Sequence, residues 1–469
     1  MENVKINLPM PVQFILNKLH DNGHEAYVVG GCVRDSIMGI KPHDWDICTS
    51  ALPEQVQEVF KDFKVLLTGV QHGTVSVLLN SENDGIYEIT TYRIDGEYKD
   101  NRHPDSVQFV SDLESDLARR DFTINAMAYN EESGLVDPFN GIEDITTNTI
   151  RCVGEANDRF KEDALRIMRA VRFALRFNSD IEFQTLAAML NNKELLRKIS
   201  AERICAELTK IFTRPLSPFN PSKYDEKKTY DKRVRLLLKT LFQLIETFVP
   251  EIGHINYRLA FYRLWFANSS SCSFNMAIII QSSYLTDTRG ICYNSPKSMQ
   301  NIFKILKFSN DIINNANNIV SFGQRIMDDF EKWAIANNDI FPTEIKIQKY
   351  YARMILHNLD YYTANLALDY ATILLIYSNL PAVYIPTYFE CIDKLRRAVR
   401  VCRENGDVYD LKYLAIDGND LIMLGFKGKR IGFILNELLD MVMKDEVRNT
   451  RGDLIRAVND YFVGDDNDV

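Results

Sequence analysis

Residues that favour β-strands are concentrated in the first third of the chain, and this asymmetry limits the folds that the sequence can adopt. Five segments there combine β-branched and aromatic residues with turn residues at their ends: AYVVGG, WDICTS, KVLLTG, HGTVSVLLN and IYEITTYR. After about residue 148 this pattern stops, and EDALRIMRAVRFALRF and SAERICAELTKIF open a region with helical periodicity. The sequence predicts an α+β protein, with a small N-terminal mixed β-sheet head followed by an elongated all-α region.

Length and composition fit a globular protein of several domains. The chain has 469 residues, of which 46% are hydrophobic and 25% charged, and two to four domains are expected at this length. It has no apolar run near the roughly 18 residues that a membrane span needs, and its N-terminus does not resemble a secretory signal. The eight cysteines occur singly, without a C-x-x-C pair. This pattern favours reduced thiols and a cytoplasmic protein, and argues against structural zinc.

Charge is distributed unevenly along the chain. Residues 1–150 contain 11 Lys and Arg against 25 Asp and Glu, a net −14, whereas residues 151–214 contain 13 against 9, a net +4. An acidic segment followed by an arginine-rich one suits a metal site beside a phosphate-binding wall. Uneven surface charge without a function is the alternative.

A pair of glycines, Gly30 and Gly31, separates a predicted strand from a predicted helix in VVGGCVRDSIMG. Glycine allows the backbone to approach a ligand closely, and the following helix N-terminus offers N–H groups to a phosphate. Arg34 lies in the first turn of that helix and is a second candidate for phosphate binding. A glycine turn alone is a weak signal, and it becomes specific only when metal-binding residues lie at a fixed distance after it.

Two aspartates, Asp44 and Asp46, occupy that position in HDWDICTS. In a strand, residues i and i+2 point to the same face, so both carboxylates would project together and repel each other unless a cation lies between them. Mg²⁺ is the expected cation, because it binds one or two carboxylates together with substrate phosphates. Glu88, on a later strand, is a candidate third carboxylate. The alternatives are a solvated strand end for the aspartates and a solvent-facing side chain for Glu88.

A polar stripe follows one side of the predicted helix Glu162–Phe177. Asp163, Arg166 and Arg169 recur at intervals of three, and Arg172 and Arg176 continue the series. Arginine and aspartate together present donors and acceptors that can pair with the edge of a base without a nucleic-acid template. The alternative is an ordinary salt bridge on a solvated helix.

Five ordered motifs carry a resemblance to a known family: GG-x-VRD, D-W-D, GVQHGTV, RRDFTINAMAYN and EDALRIMRAVRFA. In this order and spacing they resemble the bacterial class II tRNA nucleotidyltransferases, the CCA-adding enzymes, within the polymerase-β-like nucleotidyltransferase superfamily. The resemblance covers roughly residues 24–212, fades over 215–410 and returns near 413–461. It implies template-independent addition of CCA to the 3′ end of tRNA, using CTP, ATP and Mg²⁺ and releasing diphosphate.

The resemblance also implies an organisation of the chain. By this resemblance the chain is expected to divide into a catalytic nucleotidyltransferase head (1–148), a helical neck for nucleotide selection (149–214), a helical RNA-binding body (215–410) and a tRNA-contacting tail (411–469). The segment RPLSPFNPSKYDEKK has the composition of a linker. The C-terminal half lacks an H…HD…D pattern, so no phosphohydrolase activity is expected. The sequence does not define the oligomeric state.

The roles implied in the head concern the metal and the triphosphate. Asp44 and Asp46 match the family's metal ligands, with Glu88 as a possible third catalytic carboxylate. Gly31 and Arg34, beside Gly30, match residues that hold the triphosphate.

A second set of implied roles concerns the ribose and the base. Arg119, Arg120 and Asp121 match the motif that recognises the ribose, with Asn125 alongside; a helix capped by Asp121 is the alternative, since FTINAMA has a helix-like composition. In the neck, Asp163 and Arg166 match the E-D-x-x-R motif that selects CTP and ATP. This leaves Arg169 and Arg172 for phosphates.

Alternatives within the superfamily remain open. A poly(A) polymerase or a partial CC-only or A-only enzyme would share the glycines and the aspartates, and an inactive RNA-binding relative would share the fold. The stretch Gly69–Val75, GVQHGTV, is typical of CCA enzymes, whereas poly(A) polymerases usually have a basic-aromatic run there. The intact aspartates argue against the inactive relative.

The polar stretch RIDGEYKDNRHPDSV, Arg93–Val107, resembles a flexible loop that CC-only enzymes lack. A site that changes from fitting a pyrimidine to fitting a purine needs an element that moves. Replacing Asp95–Tyr98 with prolines is therefore expected to leave both C additions nearly normal and to stall the final A. Product length at single-nucleotide resolution measures this; full-length CCA made at the wild-type rate would rule out the switching role, and an inert surface connection would then be the better interpretation.

Overall fold

The computed structural model describes residues 4–70, 73–79, 85–96, 107–213, 224–257, 260, 264, 269–284, 296–337, 345–376 and 385–462. The chain forms two compact units. The first comprises Met1–Tyr257 with Ile305–Lys307, and the second comprises Arg258–Lys304 with Phe308–Val469. The finer division into head, neck, body and tail remains a prediction.

The first unit is built on a mixed β-sheet. Its strands are β1 (Ala26–Val29), β2 (Ile47–Thr49), β3 (Lys64–Gly69), β4 (Thr74–Leu78), β5 (Ile86–Thr91), β6 (Arg93–Asp95), β7 (Val107–Phe109), β8 (Ala128–Asn130) and β9 (Gly134–Val136). Seven of them form one sheet in the order β3-β4-β5-β2-β1-β8-β9, in which β2 and β5 are parallel and the other pairs are antiparallel. Strands β6 and β7 form a separate antiparallel pair.

Both faces of the sheet are covered by apolar packing. Val28 of β1 belongs to one core cluster, whereas Tyr27 and Val29 belong to another. This alternation is what a strand buried on both sides requires, since successive side chains point to opposite faces. The ends of β1 and β2 are thereby fixed in place, and the candidate site lies at those ends.

The helices of this unit follow the predicted order. They are α1 (Met10–Asp21), α2 (Gly31–Ile37), α3 (Pro53–Val59), α4 (Leu113–Ala118), α5 (Gly141–Thr146), α6 (Ala156–Glu162), α7 (Leu165–Phe177), α8 (Phe183–Asn192), α9 (Ala201–Phe212) and α10 (Tyr224–Phe248). The predicted strands and the helices α1 to α3 are confirmed, and so is the α+β class. Of the linker-like segment, 214–223 lie outside the described residues and 224–228 begin α10.

Two local predictions and one alternative are wrong. The helix over Glu162–Phe177 is interrupted at Asp163, whose backbone is extended and whose carboxylate accepts a hydrogen bond from the Leu165 N–H at 3.0 Å. The segment FTINAMA forms a 3₁₀ turn over Thr123–Asn125 that leads into β8, rather than an α-helix capped by Asp121. Strands also continue beyond residue 148, although only as the short pieces β10 (Thr149–Ile150), β11 (Asp180–Ile181), β12 (His254–Ile255) and β13 (Ser283–Tyr284).

Beyond Tyr257 the described residues are mostly helical. The helices are α11 (Cys272–Gln281), α12 (Pro296–Ile305), α13 (Asn310–Asn337), α14 (Ile345–Asn358), α15 (Tyr361–Ile376), α16 (Ile385–Glu404), α17 (Gly418–Met423), α18 (Lys429–Met443) and α19 (Arg451–Phe462). Within the second unit, Arg353 of α14 is hydrogen-bonded to Asp407 at 2.8 Å and to Asp445 at 2.7 Å, which joins α14 to the segments after α16 and α18. In the part of the chain that the structure describes, none of the helices is both long and apolar enough to span a bilayer.

Candidate active site

The glycine turn after β1 makes room for an arginine. Gly30 has φ +78° and ψ −121°, and a Cβ at this position would lie 2.8 Å from Nη1 of Arg120. A residue with a side chain would therefore be strained and would displace the guanidinium. Gly30 also donates its N–H to the Met127 carbonyl at 3.0 Å, which ties the turn to the segment before β8.

Arg34 is buried in the structure rather than exposed toward a ligand. The residue is only 3% exposed, and its guanidinium donates to Asp35 at 2.8 and 2.6 Å and to the side-chain oxygen of Asn125. It also lies over the rings of Phe173 and Phe177. Burial lowers the pKa of Arg34, while Asp35 acts in the opposite direction. These contacts favour a supporting role for Arg34, and direct triphosphate binding by it remains a prediction.

Asp44 and Asp46 lie just before β2 rather than inside a strand. The Asp44 side chain is 86% exposed and its carboxylate is 3.0 Å from Nδ1 of His43. Asp46 keeps exposed surface, but the surrounding protein partly desolvates its carboxylate; this desolvation and repulsion from Asp44 raise its pKa, and Arg120 acts in the opposite direction. Arg120 is therefore a cation close enough to favour the charged form of Asp46.

Glu88 lies beside Asp46 across the parallel pair. Ile47 of β2 is in register with Ile89 of β5, and both side chains are buried. The preceding residues, Asp46 and Glu88, are therefore neighbours on the opposite face. The register places Glu88 next to Asp46, but among the described residues Asp44, Asp46 and Glu88 do not form a group that could hold a metal ion together. Metal binding by Glu88 remains a prediction.

The donor set fits a divalent cation that also takes ligands from its substrate. Among the residues that the structure describes, no group of three or more His, Cys, Asp or Glu side chains could hold a metal ion alone. Two neighbouring carboxylates nevertheless favour a bound cation, because it offsets their repulsion, and Mg²⁺ commonly uses one or two carboxylates with substrate phosphates. Asp44 and Asp46 have the chemistry for such a site.

A chain of side-chain contacts connects Arg34 to helix α7 through Asp121. Asn125 accepts from Arg34 and donates to Oδ1 of Asp121 at 2.9 Å. Oδ2 of Asp121 accepts from Arg169 of α7 at 2.7 and 2.6 Å. Burial would raise the pKa of Asp121, but Arg169 and Asn125 outweigh it, so the pKa is lowered and the carboxylate is ionised. Both oxygens of Asp121 are thus already bonded within the protein.

An arginine-rich pocket of about 310 Å³ opens beside this chain, a volume at the lower end of ordinary ligand sites. Its lining consists of Arg119, Arg120, Asp121, Asp163, Leu165, Arg166, Arg169 and Arg203. Five arginines and two aspartates surround the space, which suits an anionic ligand with a polar ring. Arg120 lines this pocket and also lies against Gly30, and the preceding residue, Val29, donates its N–H to the Asp46 carbonyl at 3.0 Å, so the pocket opens next to the acidic pair.

The predicted base-selecting residues line the pocket, but their partners differ from expectation. Asp163 binds Arg203 of α9 through both oxygens, at 3.2 and 2.8 Å. Arg166 instead bonds to Glu162 at 2.6 Å and to the carbonyl of Arg119 at 2.9 Å. The alternative of a salt bridge between Asp163 and Arg166 is therefore wrong, because each has another partner.

Arg203 is the functional candidate that sequence reasoning missed. It lies 40 positions after Asp163, in a helix that displays only ordinary amphipathic spacing. No local signal distinguishes it from other surface arginines, and only the packing of α9 against α7 brings it to the pocket.

Arg172 is not among the residues that line this pocket. It is buried and donates to Glu207 of α9 at 2.5 Å, with its guanidinium 4.1 Å from the centroid of Phe173. Burial lowers its pKa, and Glu207 opposes the change. The contacts favour a role in joining α7 to α9, so phosphate binding by Arg172 stays a prediction without support from the geometry.

A second, wider cleft of about 640 Å³ lies elsewhere on the first unit. Its lining includes Phe139, Phe183, Arg151, Glu155 and Glu182. With one arginine against two glutamates, its charge does not suit a triphosphate. The arginine pocket is the better candidate for a nucleotide.

Comparison with known families defines the class of protein. A family model described as the poly A polymerase head domain matches residues 26–151, and one described as a probable RNA and SrmB-binding site of polymerase A matches residues 179–217. Together with the mixed sheet, the acidic pair and the arginine pocket, these matches define a nucleotidyltransferase with an RNA-binding region.

Individual relatives narrow the class. The CCA-adding enzyme of Pediococcus pentosaceus is 34% identical over 470 residues, covering 96% of this chain and 98% of that enzyme. The CCA-adding enzyme of Lactobacillus delbrueckii subsp. bulgaricus is 50% identical over 215 residues, so that alignment spans 45% of this chain and only 52% of the relative. The Bacillus stearothermophilus CCA-adding enzyme in complex with CTP superposes with a TM-score of 0.66 at 25% identity, covering 97% of this chain and 98% of that one. The chain belongs to the family of CCA-adding enzymes, the tRNA nucleotidyltransferases, and is of the class II bacterial type.

The contact between Asp163 and Arg203 leads to a prediction about base selection. Arg203→Met would remove the two hydrogen bonds that Arg203 donates to Asp163 and leave the one from the Leu165 N–H to Oδ1. The carboxylate would be held less firmly, so incorporation of UTP and GTP relative to CTP and ATP is expected to rise roughly tenfold. Competition among the four nucleotides on a tRNA substrate measures this ratio. Arg197→Met is the matched control, since Arg197 is exposed and absent from the pocket lining. Selectivity equal to that of the control would show that Arg203 does not orient the base-reading carboxylate.

Proposed function

We propose that this chain adds C, C and A in turn to the 3′ end of tRNA, using CTP and ATP and releasing diphosphate. The observation that carries the proposal is the position of the arginine pocket next to the acidic pair, with Arg120 lining the pocket and lying against Gly30 at the end of β1. Its base-reading groups are protein side chains, which suits nucleotide choice without a nucleic-acid template. The relative from P. pentosaceus, aligned over nearly the whole of both chains, supports the same activity.

The roles of the residues follow from their contacts. Asp163 and Arg166 would face the base edge, with Arg203 holding the Asp163 carboxylate in one orientation. Arg120, next to the turn at Gly30, would bind the triphosphate close to Asp46. The positions of these groups allow the base and the phosphates of one nucleotide to be held at the same time.

Ribose recognition would involve Arg169 more directly than Asp121. Both oxygens of Asp121 already accept hydrogen bonds from protein groups, whereas the Arg169 side chain is 32% exposed and lines the pocket. Asp121 would then orient Arg169, and Asn125 would hold Asp121. Arg169, which the resemblance assigned to phosphates, would thus contact the ribose, and Asp121 and Asn125 of the predicted ribose set would support it.

The acidic pair would hold Mg²⁺. Asp44 and Asp46 would be the ligands, with Glu88 beside Asp46, and a bound Mg²⁺ would supply positive charge where the transferred phosphate develops negative charge. A cytoplasmic location is part of the same proposal, because both the tRNA substrate and the reduced cysteines fit it.

One assay distinguishes the proposal from its alternatives. Purified protein is incubated with tRNA ending at the discriminator base, or with tRNA already ending in CC, together with CTP alone, ATP alone or both. The products are sized at single-nucleotide resolution. The proposal expects two added nucleotides with CTP and three with both. Long A tails would indicate a poly(A) polymerase, and arrest after the C additions would indicate a CC-only enzyme. Addition of A only to tRNA already ending in CC would indicate an A-only enzyme. Unchanged tRNA under all conditions would indicate an inactive relative.

The acidic pair generates a direct prediction. Asp46→Asn is expected to slow nucleotide transfer at least about a hundredfold, equivalent to about 2.7 kcal/mol, because one charge of the proposed metal site is removed. tRNA binding should remain near the wild-type value. Asp62→Asn, the same change at an exposed position after α3, serves as the control. A rate above a tenth of wild type for Asp46→Asn would refute the metal-site assignment.

A further inference from the structure

Asp116 is a buried carboxylate next to the nucleotide pocket. It lies on α4 and is 0% exposed. A buried carboxylate is costly unless charged or strongly polar groups bind it. The groups that do so here are therefore held firmly to Asp116, and their positions depend on it.

Two of these groups belong to the pocket. Oδ1 of Asp116 accepts from Nε and Nη2 of Arg119 at 3.0 and 2.7 Å, and Oδ2 is 3.4 Å from Nη2 of Arg120. Both arginines line the arginine pocket, whereas Asp116 is not among the described residues that line it. One carboxylate behind the pocket wall thus holds two cations that face the ligand.

The third group belongs to β6. The backbone N–H of Arg93, the first residue of β6, donates to the same Oδ1 at 3.3 Å. Strand β6 pairs with β7 in the register Arg93 with Phe109, and α4 follows β7 directly in the chain. Strand β6 and Arg119 thus share one acceptor, Oδ1 of Asp116. A shift of β6 would therefore change the hydrogen bonding of the oxygen that holds Arg119.

We propose that Asp116 is a positioning residue that holds the guanidinium groups of Arg119 and Arg120 in the nucleotide pocket and connects them to β6. The inference rests on the proposed function, since it takes CTP and ATP as the ligands of the pocket. Asp116 does not touch the nucleotide. Its charge sets the orientation of two groups that do.

The test compares nucleotide and tRNA binding in Asp116→Asn. The substitution keeps the shape of the side chain but removes the charge and places an amide N–H₂ against an arginine donor. The dissociation constants for CTP and ATP are expected to rise roughly tenfold, with the tRNA dissociation constant within about twofold of wild type. Equilibrium binding needs no turnover, so the inference is testable even if the CCA assay fails, and that failure would count against the proposed function alone.

Asp112→Asn is the matched control. Asp112 is the exposed N-cap of the same helix and accepts from the Ser115 N–H at 2.8 Å, a role that Asn performs equally well. This variant is expected to bind both ligands as the wild type does. If Asp116 had a purely structural role, Asp116→Asn would reduce the fraction of folded protein without changing the ratio of nucleotide affinity to tRNA affinity. Unchanged nucleotide affinity in Asp116→Asn would overturn the proposal.

A second variant covers the case in which Asp116→Asn does not fold. Asp116→Glu keeps the charge but moves it by one methylene, which displaces both arginines. A CTP dissociation constant raised at least about threefold, with tRNA affinity preserved, would support the proposal. Unchanged CTP affinity in this variant would refute it.

Discussion

The candidate site depends on the buried ion pair between Asp121 and Arg169, which joins the segment before β8 to helix α7. Asp121 remains ionised only because Arg169 and Asn125 offset the cost of its burial. Removing one partner of such a pair leaves an uncompensated buried charge, which commonly costs about 3–5 kcal/mol. The pair also orients the guanidinium that faces the pocket. Stability and ligand binding therefore rest on the same contact.

Around this pair the structure repeats one arrangement, in which an acid and an arginine bind each other at or behind the pocket. Asp116 holds Arg119, Asp163 is held by Arg203, and Glu207 holds Arg172. Arginine keeps its charge even when partly buried, and its planar fork fixes its direction when an acid binds one side. A wall built in this way is rigid before the nucleotide arrives, which reduces the ordering cost of binding.

Much of this could be predicted from the sequence because the signals are local. The glycine turn, the two aspartates and the arginine-aspartate motif are each contained within a few residues. The strand pattern also placed the glycine turn and the aspartates next to β1 and β2. The break at Asp163 was not predicted, because the apolar spacing continues through it and the capping hydrogen bond to Leu165 leaves no separate pattern. Contacts between distant segments were also missed. Arg203 lies 40 residues after Asp163, and Glu207 lies 35 residues after Arg172. The sequence does not indicate which acid a long arginine side chain binds across such a separation.

The burial of Arg34 was also not predicted, because it depends on contacts with distant segments. Its place in the first turn of α2 suggested phosphate contact, yet the rings of Phe173 and Phe177 and the acceptor on Asn125 come from segments that no local pattern connects to it.

The central claim is that one nucleotide spans the arginine pocket and the acidic pair. The most direct measurement is a crystal structure of this protein with CTP and Mg²⁺. The account predicts the base against Asp163 and Arg166 and the triphosphate beside Arg120 and Asp46; a nucleotide bound instead in the cleft that contains Phe139 and Phe183 would contradict it.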